Sequence, residues 1–406
     1  MRYAPRADRL GPERAFEVLE QVIQMKAQGR DIISLYIGEP QFDTPNNIKL
    51  SGCKAILDNK THYSPASGVW AFRETAAAYV NSTRRTDVAP DEIVVAPGTK
   101  PLIFHSIMAC VDSGTEVIGP NPCYPAYPSI VNMVGARYVS APLTEERGFS
   151  MDVDQLESLV TPRTSMIILN FPHNPTGAVL SGADLDRIAE IANRHDLWVM
   201  SDEIYSRLIY AGKFESIISR PGMKERTILI DGFSKTYAMT GWRLGFGVVN
   251  RTLARKLDLF MMNAESCTAT FTQYAGIDAL DGPQDAVEAM RMEFAARRDL
   301  LVQELNRIPG FRCLAPAGAF YTFPNVTEAC RIAGVPDADS LQQALLEEAN
   351  VAVLSRTAFG APNPGEKEQY LRVSYTSCRE DLLNGTSRIR DFMEKALLQD
   401  KRKAIG

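Results

Sequence analysis

Two kinds of segment take turns along the middle of the chain. The runs EIVVA (92–96), EVIGP (116–120), RYVSAP (137–142), SMIILN (165–170), LWVMSDE (197–203), TILIDG (227–232) and LGFGVV (244–249) are short and apolar or β-branched. Such runs read as strands. Between several of them the apolar positions recur at helical spacing. In DLDRIAEIANRHD, Leu185, Ile188, Ala189 and Ala192 fall on one helical face, with Asp184 near the start. Several of the strands are near-continuously apolar, as strands buried on both faces are. The pattern therefore predicts an α/β fold with a mostly parallel, seven-stranded sheet between helices.

After about residue 285 the pattern changes. A long charged helix is expected over roughly 285–307, then shorter α/β pieces around GFRCLAPAGAFYTFP, SLQQALLEEANVAVLS and YLRVSYT, then a C-terminal helix from about 380. The first forty-odd residues hold one amphipathic helix and the strand DIISLYIG, too little for a domain of their own. The expected division is a large domain over 46–285 and a smaller α/β domain built from both chain ends, 1–45 and 286–406.

Charge and composition narrow the function classes. A net charge of −5 recommends neither nucleic acid nor an anionic membrane as partner. No run of about 18 apolar residues occurs, and the opening MRYAPRADRLGPERAFEVLE has no apolar signal core, so a cytoplasmic protein is expected. The seven cysteines are scattered without a C-x-x-C pair, and the four histidines show no metal-ligand spacing. Neither a disulfide framework nor a metal site is expected.

In open parallel sheets ligands bind beyond the carboxyl ends of strands, and the chemically suggestive residues sit there. ILNFPHNPTG ends one strand with Asn174 in its turn. WVMSDEIYS ends another with Asp202 and Tyr205, and ILIDGFSK a third with Ser234 and Lys235. VVAPGTKP ends a fourth and opens a helix at Gly98 and Thr99, whose free N–H groups suit a phosphate. Arg243 follows Lys235 by eight residues, an unusual pair of cations beside a buried run. A lysine, a carboxylate, a tyrosine, an asparagine and a phosphate cradle together meet the needs of pyridoxal phosphate.

At these residues the sequence resembles a fold-type I pyridoxal-phosphate enzyme of the class I/II aminotransferases, in the branch holding many bacterial aspartate aminotransferases. The likeness runs from SLYIGEPQFDTP (34–45) to YLRVSYTS (370–377), and NPTG, SDEIY and SKTYAMTGWRLG carry it jointly. It implies a Schiff base on Lys235, Asp202 on the pyridine nitrogen, and Tyr205 with Asn174 on the phenolic oxygen. Ser234 and Arg243 would hold the phosphate, with Gly98, Thr99 and Lys100 as backbone donors. Tyr124 of NPCYPAY would stack on the ring, and Tyr63 of HYSPASG would reach the phosphate of a neighbouring subunit. Gly38, Asn174 and Arg372 would bind the substrate α-carboxylate. A homodimer with shared active sites is implied, acting on an amino acid and a 2-oxo acid.

Two points stay open at the level of sequence. Lys100 matches a lysine that some relatives place near an acidic side chain. Those relatives carry small hydroxyl residues near the chain start, where this sequence has Gly11, Pro12 and Glu13. The same set of residues would also serve a lyase, a racemase or a biosynthetic cyclase.

Overall fold

The computed structural model describes residues 3–405. Its strands in chain order are β1 (Ile33–Ser34), β2 (Ile93–Ala96), β3 (Glu116–Asn121), β4 (Arg137–Pro142), β5 (Thr164–Asn170), β6 (Trp198–Asp202), β7 (Thr227–Gly232) and β8 (Gly245–Val248). Then follow β9 (Tyr321–Thr322), β10 (Val351–Ala352), β11 (Leu354–Ser355) and β12 (Leu371–Ser374). Seven of them form one sheet in the order β2-β8-β7-β6-β5-β3-β4. The pairings of β4, β3, β5, β6 and β7 are parallel, and β8 runs antiparallel to both its neighbours.

Burial follows the composition of the strands. All residues of β3 and β7 are buried, while the edge strand β4 is half exposed. This is what a parallel sheet covered on both faces requires, since its inner strands have no solvent side. One cover is the helix Gly182–Arg194, which buries Leu185, Ile188, Ala189, Ile191 and Ala192. Its start is set by a reciprocal cap: the Asp184 N–H donates to the Ser181 hydroxyl at 3.1 Å, and the Ser181 N–H donates to the Asp184 carboxylate at 3.2 Å.

The remaining strands build two small sheets, β1-β10 and β11-β12-β9. β1 is parallel to β10, with Ile33 opposite Val351. A separate apolar cluster joins Ile33 and Leu35 to Val351, Leu371 and Val373. The long helix Asp285–Leu305 and the C-terminal helix Arg379–Ile405 fall where the charged periodicity places them. The strand expected over DIISLYIG keeps only two residues in ladder pairing. At Leu35 the backbone changes partners: its N–H still donates to the Ala352 carbonyl of β10 at 2.9 Å, while its carbonyl accepts from the Ser374 N–H at 2.8 Å. No helix among the described residues is long and apolar enough to cross a membrane.

Candidate active site

The carboxyl ends of β2, β5, β6 and β7 open into a cavity of about 440 Å³, closed on its far side by residues from both chain ends. Lys235, Asp202, Asn174, Tyr205, Arg243 and Arg372 all line it. So do Gly38, Thr99, Lys100, Tyr124 and Ser234. Gly98 stands directly before this wall as the residue that opens the helix Thr99–Cys110. Tyr63 lies elsewhere, 90% exposed on the surface of the single chain.

Strand alternation explains how one short motif serves two faces. Asp202 ends β6 with its side chain toward the cavity, where the Tyr127 hydroxyl donates to it at 2.7 Å and the Ile204 N–H at 3.3 Å. Its neighbour Glu203 points the other way and accepts from buried Arg84 at 3.2 Å. Arg84 also pairs with buried Asp231, so one guanidinium serves two carboxylates beneath the cavity floor. Burial pushes the Asp202 carboxyl up to about 6, although the Tyr127 hydrogen bond works against the shift. No cation among the described residues is within ion-pair distance of it, and the more distant Lys235 favours its carboxylate form only weakly, as the last of the causes acting on it.

Lys235 follows β7 on the one-turn helix Phe233–Thr236 and donates from Nζ to the Gly38 carbonyl at 2.5 Å. Desolvation pushes its ammonium down to about 8, so about a tenth is neutral amine at pH 7, far more than for an ordinary lysine. Gly38 comes close because it has no side chain: a Cβ there would stand 2.1 Å from the Tyr321 hydroxyl.

Arg372 is the clearest sign of an anion-binding position. It is buried on β12, with its guanidinium 4.4 Å from the Tyr321 ring centroid and 4.7 Å from that of Phe359. Nη1 donates to the Asn174 side-chain oxygen at 2.9 Å, Nη2 donates to the Tyr36 carbonyl, and Nε has no partner. All the acceptors are neutral. A buried guanidinium held this way carries a charge matched by no anion, and its Nε is a buried donor without a partner, on a residue that lines the cavity.

A second anion position lies at the mouth of the helix Thr99–Cys110. No side chain caps this helix start, and Gly98 has φ +92°, which lets the backbone turn its N–H groups outward. A Cβ on Gly98 would meet the Arg243 guanidinium at 2.3 Å. Arg243 is exposed, holds the left-handed backbone at φ +55°, and donates only to the carbonyls of Thr240 and Pro97. The donor set suits a phosphate.

Sequence reasoning missed several participants. Tyr127, three residues beyond Tyr124, is the donor to Asp202; the i, i+3 spacing in NPCYPAY was the available signal. Asn170 braces the following turn by accepting from the Asn174 N–H at 3.2 Å. Tyr321 bonds the Tyr205 hydroxyl at 2.9 Å and stacks by Arg372, and nothing local in its sequence announces that. Lys100 does not point freely into the cavity: it donates to Glu13 at 2.6 Å.

A lysine, an uncompensated carboxylate and two anion positions around one cavity describe a site for an anionic cofactor and a carboxylate substrate. The profile of the family described as aminotransferase class I and II matches residues 30–389, most of the chain. The chain belongs to this family of aminotransferases. The aminotransferase is 35% identical to the aspartate aminotransferase of Geobacillus stearothermophilus, covering 97% of this chain and 99% of that one. It is 40% identical to the aromatic-amino-acid aminotransferase 2 of Thermococcus litoralis, over 92% and 94% of the two chains. The structure of the aspartate aminotransferase from Thermus thermophilus with maleate superposes with a TM-score of 0.90 at 32% identity, covering 97% of this aminotransferase and 100% of that chain. The aminotransferase thus has the fold-type I architecture and full-length relatives with different named substrates.

Proposed function

We propose that the cavity binds pyridoxal 5'-phosphate on Lys235 and transfers an amino group from an L-amino acid to a 2-oxo acid, with glutamate and 2-oxoglutarate as one pair and an aspartate-type or broad partner. The observation that carries this reading is the meeting of Lys235, Asp202 and Arg372 on one cavity: an amine, a carboxylate without a cation and a guanidinium without an anion. Bound there, the cofactor would supply an electron sink for charge developing at the substrate Cα.

The chain's own groups have distinct tasks in this proposal. Asp202 holds a proton on the ring nitrogen, and the Tyr127 hydroxyl fixes the carboxylate in place. Tyr205 and Asn174 flank the phenolic oxygen, and Tyr124 covers the ring. Ser234, Arg243 and the N–H groups of Thr99 and Lys100 grip the phosphate beside Gly98. Arg372 would hold the α-carboxylate over Gly38 through its guanidinium, which orients the Cα–H bond. Lys235 Nζ would hold the cofactor and, as a neutral amine, would serve as the base that takes the proton from the substrate Cα. Arg372 and Asn174 release no charge in this cycle; they fix geometry.

The same reading divides the chain into a large domain, 46–285, and a smaller one from 1–45 and 286–406. It pairs two copies so that Tyr63 of each serves the phosphate of the other. The experiment is amino-group exchange: the purified protein with glutamate and a 2-oxo acid should form 2-oxoglutarate and the second amino acid in equal amounts. Ammonia released without a new amino acid would mark a lyase instead.

A further inference from the structure

Among the cavity residues, Glu13 has a place that the motif residues do not explain. It stands just before the helix Arg14–Ala27, and its side chain makes no capping bond to it. Its carboxylate accepts from Lys100 Nζ at 2.6 Å and lies 3.4 Å from the Tyr124 hydroxyl. The Glu13 side chain is 21% exposed and that of Lys100 48%, at the rim of the cavity. Phe16, Leu19, Ile37 and Ile103 provide the apolar wall beside them. Lys100 is also the only lysine besides Lys235 that lines the cavity described here.

We propose that Glu13 is a specificity-determining residue: it holds Lys100 in an internal ion pair and so turns the site toward amino acids with neutral side chains. The inference rests on the aminotransferase reading above. Lys100 is the cavity cation left over once Lys235, Arg243 and Arg372 have their tasks, and a carboxylate already occupies it. An incoming aspartate, glutamate or 2-oxoglutarate must break that pair and bring a second negative charge beside Glu13. A neutral side chain leaves the pair intact and packs on Phe16 and Ile103. Acidic substrates are still handled, through Arg372 at the α-carboxylate, but each carries the cost of separating Glu13 from Lys100.

Binding is measured apart from turnover, using the cofactor-loaded enzyme with maleate as a dicarboxylate probe and propionate as a monocarboxylate. Glu13→Gln keeps the size of the side chain and removes its charge. The affinity ratio of maleate to propionate should rise by about fivefold, the scale of a rim ion pair. In a Lys100→Ala background the same substitution should move the ratio less than about twofold, because no cation remains to be freed. Half-reaction spectra should show the matching trend, with the gain for aspartate over alanine lying in half-saturation rather than in limiting rate. An unchanged maleate ratio, or an equal change without Lys100, overturns the selectivity. Loss of amino-group transfer with the ratio still shifted overturns the reaction alone and leaves the pairing supported.

Discussion

The cavity residues earn their environment through burial. Lys235 is held near pH 8 by desolvation, and this has a direct readout in apo protein. An amine-reactive reagent should label Lys235 half-maximally near pH 8, against about 10.4 for an ordinary lysine. The unfolded chain keeps that proton to higher pH, so the apo protein should gain stability from this group as pH rises from about 8 toward 10.5. Borohydride treatment of the loaded enzyme should fix the cofactor to the peptide containing Lys235; label on another lysine would remove the assignment. Asp202→Asn should fold but lose about 10³-fold in kcat, since an amide accepts no stable ring proton. Lys235 and Asp202 were legible because strand-end position and motif identify them together. Tyr127 and Tyr321 were not, because their contacts are made across 75 and 116 residues of sequence.

Elements translate this chemistry into stability. The seven runs of the main sheet could be read from apolar content alone, since β-branched strands buried on both faces leave a continuous signal. The strand at DIISLYIG could not be bounded, because Leu35 gives its N–H to β10 but its carbonyl to the Ser374 backbone. Beneath β6 and β7, Arg84 sits between Glu203 and Asp231, all buried. Arg84→Met should strand two carboxylates and lower unfolding free energy by about 3–5 kcal/mol; urea titration of the holo protein checks it. Near-unchanged stability would show that water reaches this floor. Gly98 belongs to the same scale. Gly98→Ala places a methyl against Arg243 at a positive φ, so cofactor retention on dialysis should fall clearly while the far-UV spectrum is kept.

For the whole molecule, the decisive question is what covers the surface around Tyr63. Leu50, Leu57 and Trp70 are exposed along with it, at 69%, 81% and 53%. Large exposed apolar side chains in one stretch of sequence suit a self-complementary interface. Sedimentation should give twice the chain mass, and Tyr63→Phe should weaken cofactor retention without dissociating the pair. A fully active monomer would refute both.

The grip on the substrate also has a history within each molecule's synthesis. Arg372 donates to the carbonyl of Tyr36 across 336 residues, and β1 finds β10 from the opposite end of the chain. The seven main-sheet strands are all translated by Val248, so that sheet can begin to assemble on the ribosome while its N-terminal neighbour waits for a partner not yet made. The proposed α-carboxylate pocket can close only once β12 has emerged, more than a hundred residues after the main sheet is made. On the proposed reading, a nascent chain stalled before β12 would carry Lys235 and Gly98 but lack Arg372, and so would have no grip on an amino acid's α-carboxylate.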